Sequence, residues 1–199
     1  MLIRYPLIGE GAIAVWKLNC YLLSASILVP DTFSSPSVPM TEKEWNICHD
    51  PHAMWMVFAD APERTDLTLF GCACCCRVWN LLSDERLRRG IEVRERHERG
   101  AASEEELAEA EHSARVARSD VRASCDPSDV HEHSPGSASA WAAGAASNAT
   151  YGNYRAASDL AARARACADG GDWQKSYDAE RAAQCDLLRS MVVYPSRAQ

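Results

Sequence analysis

Cys72, Cys74, Cys75 and Cys76 fall within five residues of one another in the stretch LFGCACCCRVW, Leu69 to Trp79. Thiolates are ligands for zinc and nucleophiles for disulfide exchange, so this cluster is the first place to look for chemistry. On an α-helix successive residues turn by about 100°, and only positions three or four apart share a face. Cys72 then aligns with Cys75 and Cys76, while Cys74 points towards Phe70 and Val78. The cluster can offer a tetrahedral zinc ion two ligands at most, and two more must come from elsewhere. The nearest donors are Cys48, His49 and His52. If the segment carrying them folds back over the cluster, Cys48 and His52 meet Cys72 and Cys75 in a Cys/His zinc site.

Two other readings compete. Cysteine is among the most buried residue types and behaves as a small hydrophobe, so the four thiols can simply pack a central helix. A redox reading takes Cys72-Ala73-Cys74-Cys75 as C-x-x-C. It needs the first cysteine at a helix N-terminus, where the dipole lowers its pKa. No strand–helix–strand pattern surrounds the motif, and the helical pattern already begins at Leu67.

The remaining candidates are weaker. RLRRGIEVRERHERG, Arg86 to Gly100, carries six Arg against three Glu. It can grip a phosphate or an acidic partner, or it can be the solvated face of a helix with internal Glu–Arg pairs. His131 and His133 with Cys125 form a loose metal-binding alternative in a polar loop. Asn148-Ala149-Thr150 has the form of a glycosylation sequon. Trp141, Trp173 and Tyr177 read as anchors between helices. No phosphate-cradling glycine loop is present, and no Ser–His–Asp, Cys–His or paired-carboxylate constellation stands out.

These residues must be positioned by helices. Thr41 and Glu44 in TEKEW form a capping box, which starts a short helix running to about Cys48. Asp50 before Pro51 is a second start, with proline at the first helical position. AMWMVF makes that helix, and the dipeptide Ala61-Pro62 ends it. Thr65 or Asp66 caps a third helix running to Leu82. It is apolar nearly all round, so it should be central and covered on several sides. Ser83 starts a fourth helix with Asp84 and Glu85 in its first turn, and Gly100 is its C′ residue.

Ser103 with Glu106 is another capping box. The stripe after it, Leu107, Ala110, Ala114, Ala117 and Val121, is mostly small and calls for a close partner helix. Residues 125–136 form a loop punctuated by Pro127, Pro135 and Gly136. Ser137 to Tyr151 is rich in alanine but interrupted by Gly144, Asn148 and Gly152. Tyr154 to Ala168 is a clearer helix, stopped by Gly170 and Gly171, and Asp172 caps a last helix through Leu188. Residues 191–199 form a tail. No β-rich run follows Met40, so the fold class is all-α, a bundle of short and medium helices.

Residues 1–39 stand apart as an isolated or poorly ordered extension. Gly11 to Val29 is apolar and about long enough to span a bilayer, but Lys17 and Asn19 interrupt it. A signal peptide would use Arg4, yet Glu10, Lys17 and the lack of a small-x-small site argue against it. PDTFSSPSVP is a Pro/Ser linker. The natural domain is expected to begin at Met40, with a membrane anchor through residues 11–29 as the alternative.

The 199-residue chain carries 21 Lys and Arg against 28 Asp and Glu, a net charge of −7. That balance disfavours a dedicated nucleic-acid binder, which needs clustered positive charge. Nine cysteines, an odd number and closely clustered, do not make a secreted disulfide framework. They read as reduced thiols in a cytoplasmic protein.

At TEKEW, LFGCACCCRVWNLLSDERLRRGIEVRERHERG and RAAQCDLLR the chain resembles a family of planctomycete proteins with no assigned activity. That family's pattern runs TE-x-EW, then LRLFACACCRR-x-W, then LLTDERSRRAVEVAER-x-ADG. An Ala-rich helical stretch follows and closes on an AAQ-x-LLRDIFG-like segment. The resemblance covers Met40 to about Arg189 and is strongest from Leu67 to Gly100. It implies a helical architecture, supports Met40 as a start and transfers no catalytic residue. Cys76 stands where the family has Arg. SMVVYPSRAQ departs from its continuation, as a truncated or frame-shifted member would.

The expected function is a helical protein that acts through a protein partner or as a homo-oligomer, with no cofactor. The first alternative is a zinc-binding domain using Cys48, His52, Cys72 and Cys75. The second is a thiol redox protein.

Overall fold

A computed structural model describes residues 40–58, 64–125, 134 and 137–194, all within one unit spanning Pro39–Gln199. Two short helices come first, α1 (Glu42–Ile47) and α2 (Pro51–Met56). They are followed by α3 (Thr65–Cys76), a single 3-10 turn at Trp79–Leu81, α4 (Glu85–Glu98) and α5 (Glu104–Ser124). The bundle is completed by α6 (Ala138–Thr150), α7 (Tyr154–Asp169) and α8 (Trp173–Met191). Among the described residues there is no strand, and the fold is an all-α bundle.

The helix ends follow local chemistry. Thr41 Oγ1 accepts from the Glu44 N–H at 3.3 Å, and the Glu44 carboxylate accepts from the Thr41 N–H at 2.7 Å, closing the capping box. Asp50 accepts from the His52 N–H at 2.9 Å, with Pro51 at the first helical position. Gly100 takes the left-handed conformation, φ 73°. Its N–H donates to the His97 carbonyl at 2.8 Å and that of Ala101 to the Arg96 carbonyl at 2.7 Å. These are the paired bonds that close a helix on a glycine.

Several boundaries differ from the sequence reading: Arg64, not Thr65 or Asp66, is the N-cap of α3, without a side-chain bond, and α8 runs to Met191 instead of Leu188. α3 stops at Cys76 instead of Leu82, and Val78 leaves helical geometry at φ −117° and ψ 23° before the 3-10 turn. The break brings Val78 and Leu82 into the core. A segment apolar on every side carries no periodic mark of where its helix ends. Asp84, not Ser83, caps α4 by accepting from the Arg86 N–H at 2.9 Å. At α5 only half of the expected box forms. Ser103 accepts from the Glu106 N–H at 3.2 Å, but the Glu106 carboxylate turns to Arg96.

The core is built around α3 and α6. α6 packs against α3, α4, α5 and α7, and Ala142, Ala143, Ala145, Ala146 and Ala149 are all buried. Gly144 and Asn148 do not interrupt it. Backbones approach closely because the contact residues are small. A methyl group added at Gly71 would lie 2.8 Å from Tyr154 Cα on α7, and one at Gly90 would lie 3.3 Å from the Ala114 methyl on α5. The small stripe of α5 therefore has the close partner helix that it demanded. α1 is tied to the other end of the chain. Arg189 donates to the carbonyls of Trp45 and Cys48, each at 3.0 Å, and Tyr194 Oη donates to the Met40 carbonyl at 2.5 Å.

No described helix is long and apolar enough to cross a membrane. The apolar run from Gly11 to Val29, the Pro/Ser linker, His131 and His133 lie outside the described residues.

Candidate functional site

α3 sorts its cysteines as the 100° step requires. Cys72 faces the α4 side, within the field of Arg94, Glu95 and Glu98, whereas Cys74 faces α8, within the field of Glu180 and Arg181. Cys75 is buried and Cys76 is exposed. Burial pushes the Cys72 thiol up to about 12, with Glu95 adding to the effect, and holds Cys74 and Cys75 well above the usual thiol range. Cys76 is also raised, by burial first and then by Glu95 and Glu92.

The other two expected zinc ligands sit elsewhere. Cys48 follows α1, is half-buried and donates to the Asp50 carbonyl at 3.3 Å. Its electrostatic neighbour is Cys185 on α8. His52 is exposed, its ring edge-on to Trp55 with centroids 6.0 Å apart. α2 packs on α8 instead of folding back over the Cys72 face. Cys48 and His52 are therefore not gathered with Cys72 and Cys75. Among the described residues no three His, Cys, Asp or Glu side chains converge to hold a metal ion.

The redox reading also meets adverse geometry. Cys72 is the eighth residue of α3, beyond the N-terminal turn whose dipole lowers a thiol pKa. Burial moves its pKa the opposite way. The eight described cysteines are all free.

The arginine-rich run is a salt-bridged surface. Arg86 pairs with Asp84 at 2.6 Å and with Asp120 at 2.7 Å, Arg88 with Glu85 at 3.6 Å and Arg99 with Glu95 at 3.3 Å. Arg94 is the buried node, its side chain 12% exposed. It pairs with Glu98 at 3.3 Å and Glu111 at 3.2 Å and donates to the Thr150 carbonyl at 2.7 Å, joining α4, α5 and the end of α6.

Two clusters escaped the sequence. In the first, Arg181 on α8 pairs with Asp50 at 2.9 Å and lies over the Trp55 and Tyr177 rings at 5.4 and 5.9 Å. Tyr177 Oη donates to Asp159 at 2.6 Å. Burial, reinforced by Asp159, pushes the Tyr177 phenol up to about 12. Burial acts to raise Asp159, but bonds from Tyr177 and Arg163 outweigh it and hold the carboxyl low. Arg181 and Asp50 are 131 residues apart, so no spacing in the chain announces them.

The second is an open cleft of about 320 Å³ where α3, α7 and α8 meet, lined by Arg77, Arg165, Asp169, Ser176, Ala179 and Glu180. Arg77 grips the buried Glu180 with two bonds of 2.5 and 3.0 Å, and Arg165 pairs with Asp169 at 3.3 Å, so its charges are already matched. The perturbed groups of this protein move away from neutral pH: thiols and phenol up, carboxylates down, the Arg77 and Arg86 guanidinium groups up.

α5 divides its charges by face. Those turned to α4 are paired across the helix contact: Glu104 with His97 at 3.1 Å, Glu106 with Arg96, Glu111 with Arg94 and Asp120 with Arg86. Glu109, Arg118 and Arg122 make no ion pair among the described residues. Glu105 bonds only locally, to its own N–H and to Ser103. α5 packs on α4 and α6, and its opposite side is exposed from Glu105 through Arg122.

No protein-family model matches the chain, and neither a curated protein nor a solved structure shows significant similarity to it.

Proposed function

We propose that this protein acts through protein contacts and that the outward side of α5 makes them. The carrying observation is the division of charge on that helix. Every acidic side chain turned towards α4 has a basic partner there, whereas Glu109 and Arg122 have none within the described chain; Arg118 lies beside Gly144 of α6. Charged rims without internal partners steer and orient protein association. The free thiols fit a reducing, cytoplasmic setting. The resemblance to the planctomycete family is in keeping with a helical scaffold and adds no activity.

A photo-crosslinking residue at Ser119, on the outward side of α5, tests this in cells that make the chain. Discrete adducts with a polypeptide are expected from Ser119. None is expected from Lys175, an exposed position on α8. Diffuse labelling alike from both positions refutes the assignment.

A further inference from the structure

Arg181, Cys185 and Arg189 stand four residues apart on α8 and so share one face. The chain between α1 and α2 is tied to both ends of that face. Arg189 donates to the carbonyls of Trp45 and Cys48, each at 3.0 Å, and Arg181 pairs with Asp50 at 2.9 Å. Cys48 therefore lies between the two anchors, as Cys185 does on the helix, about 6 Å along the axis from each arginine. Cys185 is fully buried in the core, and Cys48 is half-buried and packs against that same core. Cys48 also leads the charges that act on the Cys185 thiol. The Asp50 N–H donates to Cys48 Sγ at 3.4 Å and fixes its place. Cys72 shares a face with Cys75 and Cys76, but side chains three or four apart on a helix hold their Cβ atoms about 5–6 Å apart, against about 3.5–4.5 Å in a disulfide. Cys48 and Cys185 belong to separate segments, and no helix fixes their separation.

We infer that Cys48 is a site of oxidation by hydroperoxides and that its oxidation joins it to Cys185, stapling the segment between α1 and α2 to α8. The oxidant arrives at Cys48, because Cys185 has no surface of its own. The Cys48 thiolate attacks one oxygen of hydrogen peroxide and breaks the O–O bond. It becomes a sulfenic acid, and the departing hydroxide takes up the thiol proton as water. The Cys185 sulfur then attacks the Cys48 sulfur and breaks its S–O bond. Hydroxide leaves again and carries the Cys185 proton away as a second water. Two thiols are oxidised to one disulfide, and one peroxide is reduced to two waters. Arg181 and Arg189, on either side of Cys185, favour its thiolate, while burial opposes it more strongly. The resolving attack is therefore the slow step. A bridge of this kind forms when oxidant rises and is cleared by cellular thiols, as transient disulfides in reducing compartments are.

The test is treatment of the reduced full chain with hydrogen peroxide, followed by blocking of free thiols and non-reducing peptide mass mapping. Trypsin releases Cys48 in peptide 44–64 and Cys185 in peptide 182–189, each the only cysteine in its peptide. The two peptides are expected joined, two hydrogens lighter than their sum, and separated by dithiothreitol. The bridge closes a loop of about 140 residues, so the oxidised chain should melt about 5–15 °C above the reduced one. Cys48→Ser should abolish both the joined peptide and the rise in Tm. Cys185→Ser should leave the Cys48 sulfenic acid unresolved and open to labelling by a 1,3-dione probe. Should Cys185→Ser fail to fold, the wild-type map and Cys48→Ser decide the question alone.

Cys48 recovered as a free thiol, joined to a different cysteine, or carried on to sulfinic acid beside a free Cys185 overturns the inference. So does a bridged chain that melts no higher than the reduced one.

Discussion

Gly71→Ala places a methyl group where α3 meets α7. In an exposed helix interior this change stabilises by about 1 kcal/mol, because alanine is the better helix former. Here the new carbon lies 2.8 Å from Tyr154 Cα and 3.0 Å from Tyr154 Cβ. Neither atom can swing aside, since one is backbone and the other is fixed to it. The helices must separate by several tenths of an ångström along a contact that also holds Phe70 and Ala157 in the core. Overpacking of this kind costs about 1–3 kcal/mol net. For a chain of this size that corresponds to a fall in Tm of about 3–10 °C. The assay is urea unfolding followed by circular dichroism, with Tm by calorimetry. Gly144→Ala is the internal comparison. Its nearest neighbour is the flexible tip of Leu160, Cδ1 at 3.3 Å, and a change within about 1 kcal/mol of wild type is expected. A Gly71→Ala protein as stable as wild type, or more so, would refute the close α3–α7 contact and the alanine-packed core built on it.

Three further outcomes follow from the buried charges and thiols. Arg94→Ala leaves Glu98, whose side chain is 14% exposed, without its cation, and should cost about 3 kcal/mol in urea unfolding. Adding Glu98→Gln should restore part of that loss, and a single-variant cost below about 1 kcal/mol would show that the Arg94 node is unimportant. Cys72 and Cys185 have folded pKa values raised to about 12, by burial first, against about 8.5 in an unfolded chain. Their contribution to stability is thus complete below about pH 8.5 and is lost as pH rises towards 12. The urea midpoint should decline across that window, and Cys72→Ala should flatten the decline. At pH 8 an alkylating reagent should label exposed Cys76, more slowly than an ordinary exposed thiol because its pKa is raised, and reach Cys74 and Cys75 only on unfolding. Fast labelling of either in the native protein contradicts their burial.

Much of the local architecture was legible in the chain. Thr41 with Glu44, Asp50 with Pro51, and Gly100 act through bonds to residues within four positions, so their meaning does not depend on the rest of the fold. The 100° step likewise separated Cys74 from Cys72 before any neighbour was known. The end of α3 was not legible, because an apolar segment offers the same chemistry to helix and turn alike. The alanine-rich α6 looked weak for a related reason. Gly144 lowers helix propensity, yet Leu160 packs beside it and burial on every side outweighs that cost.

What the chain determined by itself, then, is its helical class, its caps and stops, and which side chains share a face. Those depend on interactions of short range along the backbone. Tertiary structure alone decided what each face meets. It set α2 on α8, which keeps Cys48 and His52 away from Cys72 and Cys75. It brought Asp50 to Arg181 and Tyr177 to Asp159, and it committed Arg86, Arg94 and Arg96 of α4 to acids of α5. It also left the row from Glu105 to Arg122 turned outward. Periodicity marks a face but does not name the helix that covers it, because close packing among small residues is chosen by the whole bundle at once.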